Sequence, residues 1–145
     1  MFGGAVPKDQ AVAEVYVQRM MKLQEKLAEI GFFEDRLCKD MVPQQFIDVG
    51  WGAADTETVC LFGNTLAHKE DVDKPNVIFE SKDNVFYTIL CFDADRVDCS
   101  ETGCYLHWAR RNVTGDIKFS SGRDTLRWQP PHPTGKKPHR FFIVV

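Results

Sequence analysis

Between residues 46 and 145 the chain is divided into short apolar runs closed by turn-forming residues, and few folds accept that spacing. Candidate strands cover 46–49, 58–62, 76–79, 85–92, 106–113 and 141–145. Most are rich in β-branched or aromatic residues, which pack well on a pleated surface. Gly50-Trp51-Gly52, Gly63-Asn64, Ser81-Lys82-Asp83-Asn84 and Thr114-Gly115-Asp116 read as the breaks between them. Short strands so punctuated predict an antiparallel β-sandwich or barrel. The run Phe141-Phe142-Ile143-Val144-Val145 would form an apolar edge strand, which predicts a covering neighbour.

The beginning of the chain has a different period. Val12, Tyr16, Met20, Leu23, Leu27 and Ile30 recur at spacings of four and three, which lines them along one stripe of a helix over 8–30. Pro7 and Gly31 stand where a helix starts and stops. At a rise of ~1.5 Å per residue this helix would run roughly 35 Å, which is long for a small domain. It either lies on its own domain or docks on a partner. The organisation expected is a helical extension over 1–41 and a β domain over 42–145.

A length of 145 residues with 43% hydrophobic content suits a single core. Eighteen basic against 21 acidic residues leave a net charge of −3, unlike a protein that wraps nucleic acid through a basic face. A ribonucleoprotein subunit that mostly touches other proteins stays compatible with it. The five cysteines, Cys38, Cys60, Cys91, Cys99 and Cys104, have no framework spacing and read as reduced thiols. No run approaches the ~20 apolar residues of a membrane span, and no targeting segment is visible.

The chemistry-bearing residues sit at strand ends. Asp93 and Asp95 close the 85–92 run, and on an extended chain they point to opposite faces. That geometry does not make a paired acid and base, but one carboxylate can face a pocket while the other pairs with an arginine. His107 lies in Tyr105-Leu106-His107-Trp108, and His139 precedes the last run beside Arg140 and behind Lys136-Lys137. Two histidines and a carboxylate reaching one point could hold phosphate, sulfate or carboxylate through N–H donors; His107, inside an aromatic strand segment, could equally be a satisfied core residue. Arg110, Arg111, Lys136, Lys137 and Arg140 are candidates for RNA phosphate or acidic partners, with solvated surface as the plain alternative. Cys99, Cys104 and His107, with Cys91 as a fourth ligand, lack the spacing of recurrent zinc sites. No hydrolase motif flanks a cysteine, Ser120-Ser121-Gly122 is no nucleophile elbow, and phosphate-binding glycine loops are missing. The expectation is a non-catalytic protein without metal or cofactor.

These residues resemble the phosphatidylethanolamine-binding protein (PEBP) family over roughly 42–145. The family carries an Asp-Pro-Asp-x-Pro strand end, a Trp-His-His-type strand and a Gly-x-His-Arg strand start. Here they correspond to Asp93-Ala94-Asp95, to Leu106-His107-Trp108 leading to Asn112-Val113-Thr114-Gly115, and to Pro130-Pro131-His132-Pro133-Thr134-Gly135 followed by His139-Arg140-Phe141. Gly63-Asn64-Thr65-Leu66 and Lys74-Pro75-Asn76-Val77 are also similar to the family's early strands. The resemblance implies an antiparallel sandwich with an anion pocket formed by Asp93, His107 and His139, with Pro131 on its rim and a structural ion pair between Asp95 and Arg140.

The departures are specific. Ala94 and Val97 replace the two prolines, Leu106 replaces the first histidine, and Phe141 replaces an aromatic that often carries a hydroxyl. The loop before His139-Arg140 is longer and more basic, and on this resemblance the domain is expected to lack the family's final strands and C-terminal helix. Tyr105-Leu106-His107-Trp108, Asn112 to Gly115, Pro130-Pro131-His132-Pro133 and the leading helix are more similar to the branch built into the mitochondrial large ribosomal subunit. The function this implies is a non-catalytic structural component of that subunit in the matrix. The helix would dock on neighbouring mitochondrial ribosomal proteins and the basic residues would meet large-subunit rRNA. The alternative is a free, cytoplasmic regulator that binds a phospholipid headgroup or another phosphoanion, favoured by the retained Asp93, His107 and His139.

Overall fold

A computed structural model describes residues 10–34, 38–52, 58–60, 63–67, 72–96, 104–114, 121–133 and 135–145. Among them lie helix α1 (Gln10–Glu29), a 3-10 turn (Phe32–Glu34) and seven strands. The strands are β1 (Ile47–Trp51), β2 (Thr58–Val59), β3 (Asn76–Phe79), β4 (Tyr87–Asp93), β5 (Tyr105–Val113), β6 (Arg123–Leu126) and β7 (Phe141–Val144). They form antiparallel sheets ordered β2-β1-β3 and β6-β5-β4-β7. The architecture is mainly β with one N-terminal helix, as the sequence predicts.

The core explains why some strands alternate and others do not. Val49 and Val77 of the smaller sheet pack against Ile89, Cys91, Trp108 and Val113 of the larger one, which makes a sandwich. On the opposite face of the larger sheet, Phe92 and Phe142 meet Phe32 and Cys38, with Leu27 and Ile30 packed alongside. Cys91 and the adjacent Phe92 therefore belong to different cores. A strand buried on both faces reads as a continuous apolar run rather than an alternating one, and β4 and β7 do so for this reason. Both faces of β7 are covered by this chain itself.

Three elements differ from the sequence reading. β1 continues through Gly50 and Trp51, because Gly50 pairs with Val59 on one side and Asn76 on the other. The strand stops at Gly52, whose φ of 95° leaves the extended region. The 58–62 run is a strand only over Thr58–Val59; residues 61–62, like 115–116 of the predicted turn after β5, lie outside the described residues. β6 is unpredicted. It is entered through Gly122, where φ is 86° and an added Cβ would stand 2.8 Å from the Arg111 carbonyl oxygen.

Gly31, at φ 75°, ends the helix region in a left-handed conformation, with its N–H donating to the Ala28 carbonyl. Met20, Leu23, Leu27 and Ile30 of the predicted stripe are half-buried, whereas Val12 is 59% exposed and Tyr16 46%. The helix is thus anchored at its C-terminal end, while Tyr16 makes an edge-on contact with Phe46 at 5.4 Å. No described helix is long and apolar enough to cross a membrane.

Candidate functional site

The site lies where β4, β5 and β7 end together. Strand register sets Asp93 opposite both Tyr105 and Phe141, so these three side chains share one face. Cys91 pairs with Trp108 and Phe92 with Leu106, which leaves His107 as the extra residue of a β-bulge. A bulge re-aims its side chain. The His107 ring, 1% exposed, lies 4.8 Å from the Tyr105 ring and 5.1 Å from that of Phe141.

His139 closes the cluster. Its Nδ1 lies 2.6 Å from Asp93 Oδ2, and Asp93 Oδ1 accepts the Asp95 backbone N–H at 2.8 Å. Asp93 is buried to 1% exposure, so both carboxylate oxygens are engaged away from bulk water. Pro131 is half-buried two residues beyond Gln129, in the loop that passes over His107.

The tautomer of His107 follows from its partners. Nδ1 lies 2.8 Å from the Gln129 carbonyl oxygen, which can only accept, so Nδ1 carries the proton. The Gln129 N–H donates in return to the His107 carbonyl at 2.9 Å. Nε2 is then a lone-pair acceptor in the neutral ring, and it is buried without a hydrogen-bond partner. Leaving such a group unsatisfied costs about 1–3 kcal/mol. Burial holds the His107 pKa below the ordinary histidine value; the Gln129 carbonyl and Asp93 oppose this, while Arg96 and His132 reinforce it.

Asp95 and Arg140 form a bidentate pair, with Arg140 Nη2 donating to Oδ1 at 2.7 Å and Nε to Oδ2 at 2.9 Å. The Arg140 backbone N–H adds a bond to Oδ2 at 2.8 Å. The remaining nitrogen, Nη1, donates to the Ile30 carbonyl at 2.9 Å and so caps the end of the helix region from the residue that precedes β7. The hydrogen bonds from the Arg140 side chain hold the Asp95 carboxyl below its usual range, against the opposing effect of burial. A depressed carboxylate contributes stability above its unfolded pKa and loses it as pH falls through the folded one. Arg140→Leu is expected to cost about 1 kcal/mol for this partly exposed pair and to raise hydrogen exchange selectively at the last turn of α1. The stability difference from wild type should shrink as pH falls below the ordinary carboxylate range.

Two basic candidates are turned inward. Arg110 is buried, with Nη1 donating to Asp124 Oδ1 at 2.8 Å and Nη2 to the Ser121 carbonyl at 2.9 Å. It braces β6 and cannot reach an RNA phosphate. Arg140 likewise spends its guanidinium on Asp95 and Ile30, as internal bracing. Arg111, Lys136 and Lys137 are exposed. Asp124 was not singled out by sequence, yet it gathers Trp108 Nε1 at 3.1 Å, Arg110, and Lys74 at 3.8 Å. Burial pushes its carboxyl up, and the bonds from Trp108 and Arg110 with the charge of Lys74 outweigh that, leaving it below the usual range.

Cys91 faces the sandwich core, and burial, with Cys60 and Asp93 nearby, pushes its thiol up to about 12. It is a poor source of thiolate for a metal or a nucleophilic role. Cys99 lies outside the described residues, among which no cluster of His, Cys, Asp or Glu is arranged to hold a metal.

No family model matches the chain. Protein BROTHER of FT and TFL 1 from Arabidopsis thaliana, a PEBP-family member, is 28% identical over 93 residues, 62% of this chain and 52% of that protein. The 26 kDa secreted antigen of Toxocara canis is 29% identical over 86 residues, 57% of this chain and 32% of the antigen. The chain thus spans about half the length of the first relative and less of the second. The distant likeness to the plant protein supports a relationship to the PEBP family.

Proposed function

We propose that this chain is a non-catalytic, PEBP-type binding protein that takes a small phosphoanion at Asp93, His107 and His139. The observation that carries this reading is the buried, unpartnered Nε2 of His107 beside the Asp93–His139 pair. A ligand satisfies that nitrogen by bringing a proton to it, either from its own hydroxyl or by drawing one onto the ring through its negative charge. Phosphoanions do both. Calorimetric titration of the wild-type chain with inorganic phosphate is expected to show saturable binding, lost in His107→Phe. Because the His107 pKa is held low, a phosphoanion that protonates the ring binds more weakly as pH rises, by up to about tenfold per unit for one linked proton. Absence of saturable heat from the folded wild-type chain would remove this reading.

A second reading is favoured by α1, where Val12, Val15, Tyr16, Val17 and Met21 are 46–59% exposed. Single exposed apolar residues are ordinary, but five within ten positions of one helix suit a surface that a neighbour covers. Together with the likeness in Tyr105-Leu106-His107-Trp108 and Pro130-Pro131-His132-Pro133, this supports a structural component of the mitochondrial large ribosomal subunit. There α1 would dock on ribosomal proteins and Arg111, Lys136 and Lys137 would face rRNA. Sedimentation of lysed mitochondria in high salt tests it: co-migration with the large subunit is expected, and a peak confined to light fractions contradicts it.

A further inference from the structure

We propose that the outer face of β5 and β6 is a nucleic-acid contact, where Arg111, Arg123 and Arg127 form one row that takes a run of RNA phosphates. The inference deepens the ribosomal reading above by naming the face and the residues of its RNA contact.

The larger sheet sorts these side chains by face. Asp124 bonds to the buried Trp108, Arg110 bonds to Asp124, and Trp128 packs on the sandwich core, so all of them mark the inner face. Arg111, Arg123 and Arg127 are each the immediate neighbour of an inner-face residue and therefore point the other way. Exposure alternates accordingly beyond the end of β6: Arg123, Thr125, Arg127 and Gln129 are exposed, and residues 124, 126 and 128 are half-buried. The Gln129 N–H, donating to the His107 carbonyl, keeps this continuation against β5. The helix region covers only the β4 and β7 half of the outer face, where Phe92 and Phe142 meet Phe32 and Cys38.

The charges on this face oppose one another. Arg111 and Arg123 are direct cross-strand partners in the β5–β6 register. Such partners have Cβ atoms about 5 Å apart, where like charges are destabilising. Among the described residues none of the three arginines forms an ion pair, whereas Arg110 and Arg140 are both paired. A bound polyanion removes that repulsion. Arg127 lies four residues along from Arg123, about 13 Å on an extended chain. One phosphate does not span that distance, but a nucleic-acid strand, with a phosphate about every 3.4 Å along its axis, does. The outward positions from 123 to 129 are Arg, Thr, Arg and Gln, residue types that contact phosphate and sugar. A protein partner calls instead for an apolar centre from which charged residues are depleted. The net charge of −3 belongs to the whole chain, and steering follows the local field.

The test is binding of a short fluorescent uridine oligonucleotide to the folded wild-type chain across a series of salt concentrations. The logarithm of affinity is expected to fall against that of salt with a slope of about −2 or steeper, roughly 0.7 for each phosphate neutralised. Replacing Arg111, Arg123 and Arg127 together by Gln is expected to remove about 2 from that slope, and Arg→Lys at the same positions to keep it, because counterion release follows charge. All three side chains are exposed, and Arg123→Gln is expected to leave the melting temperature unchanged or raised, since it removes a repulsion. No binding at low salt, or a slope that the triple Gln variant leaves unchanged, overturns the inference. Polyglutamate binding as tightly as the oligonucleotide also overturns it, by assigning the face to an acidic protein. Sedimentation keeps the two readings apart. Co-migration of the wild-type chain with the large subunit, without oligonucleotide binding, overturns this inference alone. Oligonucleotide binding through the three arginines by a chain confined to light fractions supports the nucleic-acid contact and removes the ribosomal reading.

Discussion

Trp108→Ala is expected to lower the free energy of unfolding by about 3–5 kcal/mol, the range for deleting a large aromatic from a packed core. Trp108 has no exposed surface and lies among Val77, Ile89 and Cys91, where the two sheets meet. Its ring is edge-on to Trp128 at 6.2 Å, and its Nε1–H donates to Asp124 at 3.1 Å. The substitution opens a cavity and removes one of the donors that hold Asp124 against β6. Trp108→Phe separates these effects, because it keeps most of the volume and loses only the N–H, for about 1 kcal/mol. Urea denaturation followed by far-ultraviolet circular dichroism measures both, with the slope checked for constancy. A loss below about 1 kcal/mol for Trp108→Ala would mean that the sheets do not pack through this residue.

The second large effect is expected at Asp93. Its carboxylate accepts from His139 Nδ1 at 2.6 Å and from the Asp95 backbone N–H at 2.8 Å, and it is almost wholly buried. Asp93→Ala removes both acceptors from an enclosed site, and deleting one partner of a buried pair costs about 3–5 kcal/mol. Asp93→Asn preserves the shape and one acceptor oxygen, so its cost is expected to be smaller. Both substitutions are expected to weaken phosphoanion binding, Asp93→Ala because His139 loses the group that fixes its ring and Asp93→Asn because a neutral amide holds that ring less strongly than a carboxylate. The same denaturation series measures stability. Binding is then compared only for the variant that stays folded, which is expected to be Asp93→Asn. Retention of wild-type affinity in Asp93→Asn would place the ligand away from His139.

Much of the fold is legible because local pattern and tertiary context agree. The 76–79, 85–92 and 106–113 runs and the helix stripe carry periods that survive in the structure within a residue or two. β6 is not legible: Arg123, Asp124, Thr125 and Leu126 lack an apolar rhythm, and the strand exists because β5 and the Asp124 network hold it. Gly122 was the available signal, as a glycine required by close approach of the Arg111 backbone. Arg110 was legible in principle. It follows Trp108 by two residues on a strand and therefore lies on the same inward face, which overrides its reading with Arg111 as a surface pair. At the site, motif order identifies Asp93, His107 and His139. What motif order cannot supply is the bulge at His107 or the pairing with the Gln129 backbone, since both depend on register between strands distant in sequence. Tyr105 enters only once that register is known.

His107 Nε2 is a buried acceptor without a hydrogen-bond partner, and a bound phosphoanion would satisfy it. Nitrogen NMR of the histidine rings in a 15N-labelled wild-type chain observes that atom directly during a titration with inorganic phosphate. The expected result is an Nε2 resonance of the neutral, Nδ1-protonated tautomer that moves saturably as phosphate is added. A His107 Nε2 signal that is already protonated without phosphate, or one that phosphate never shifts, would contradict it.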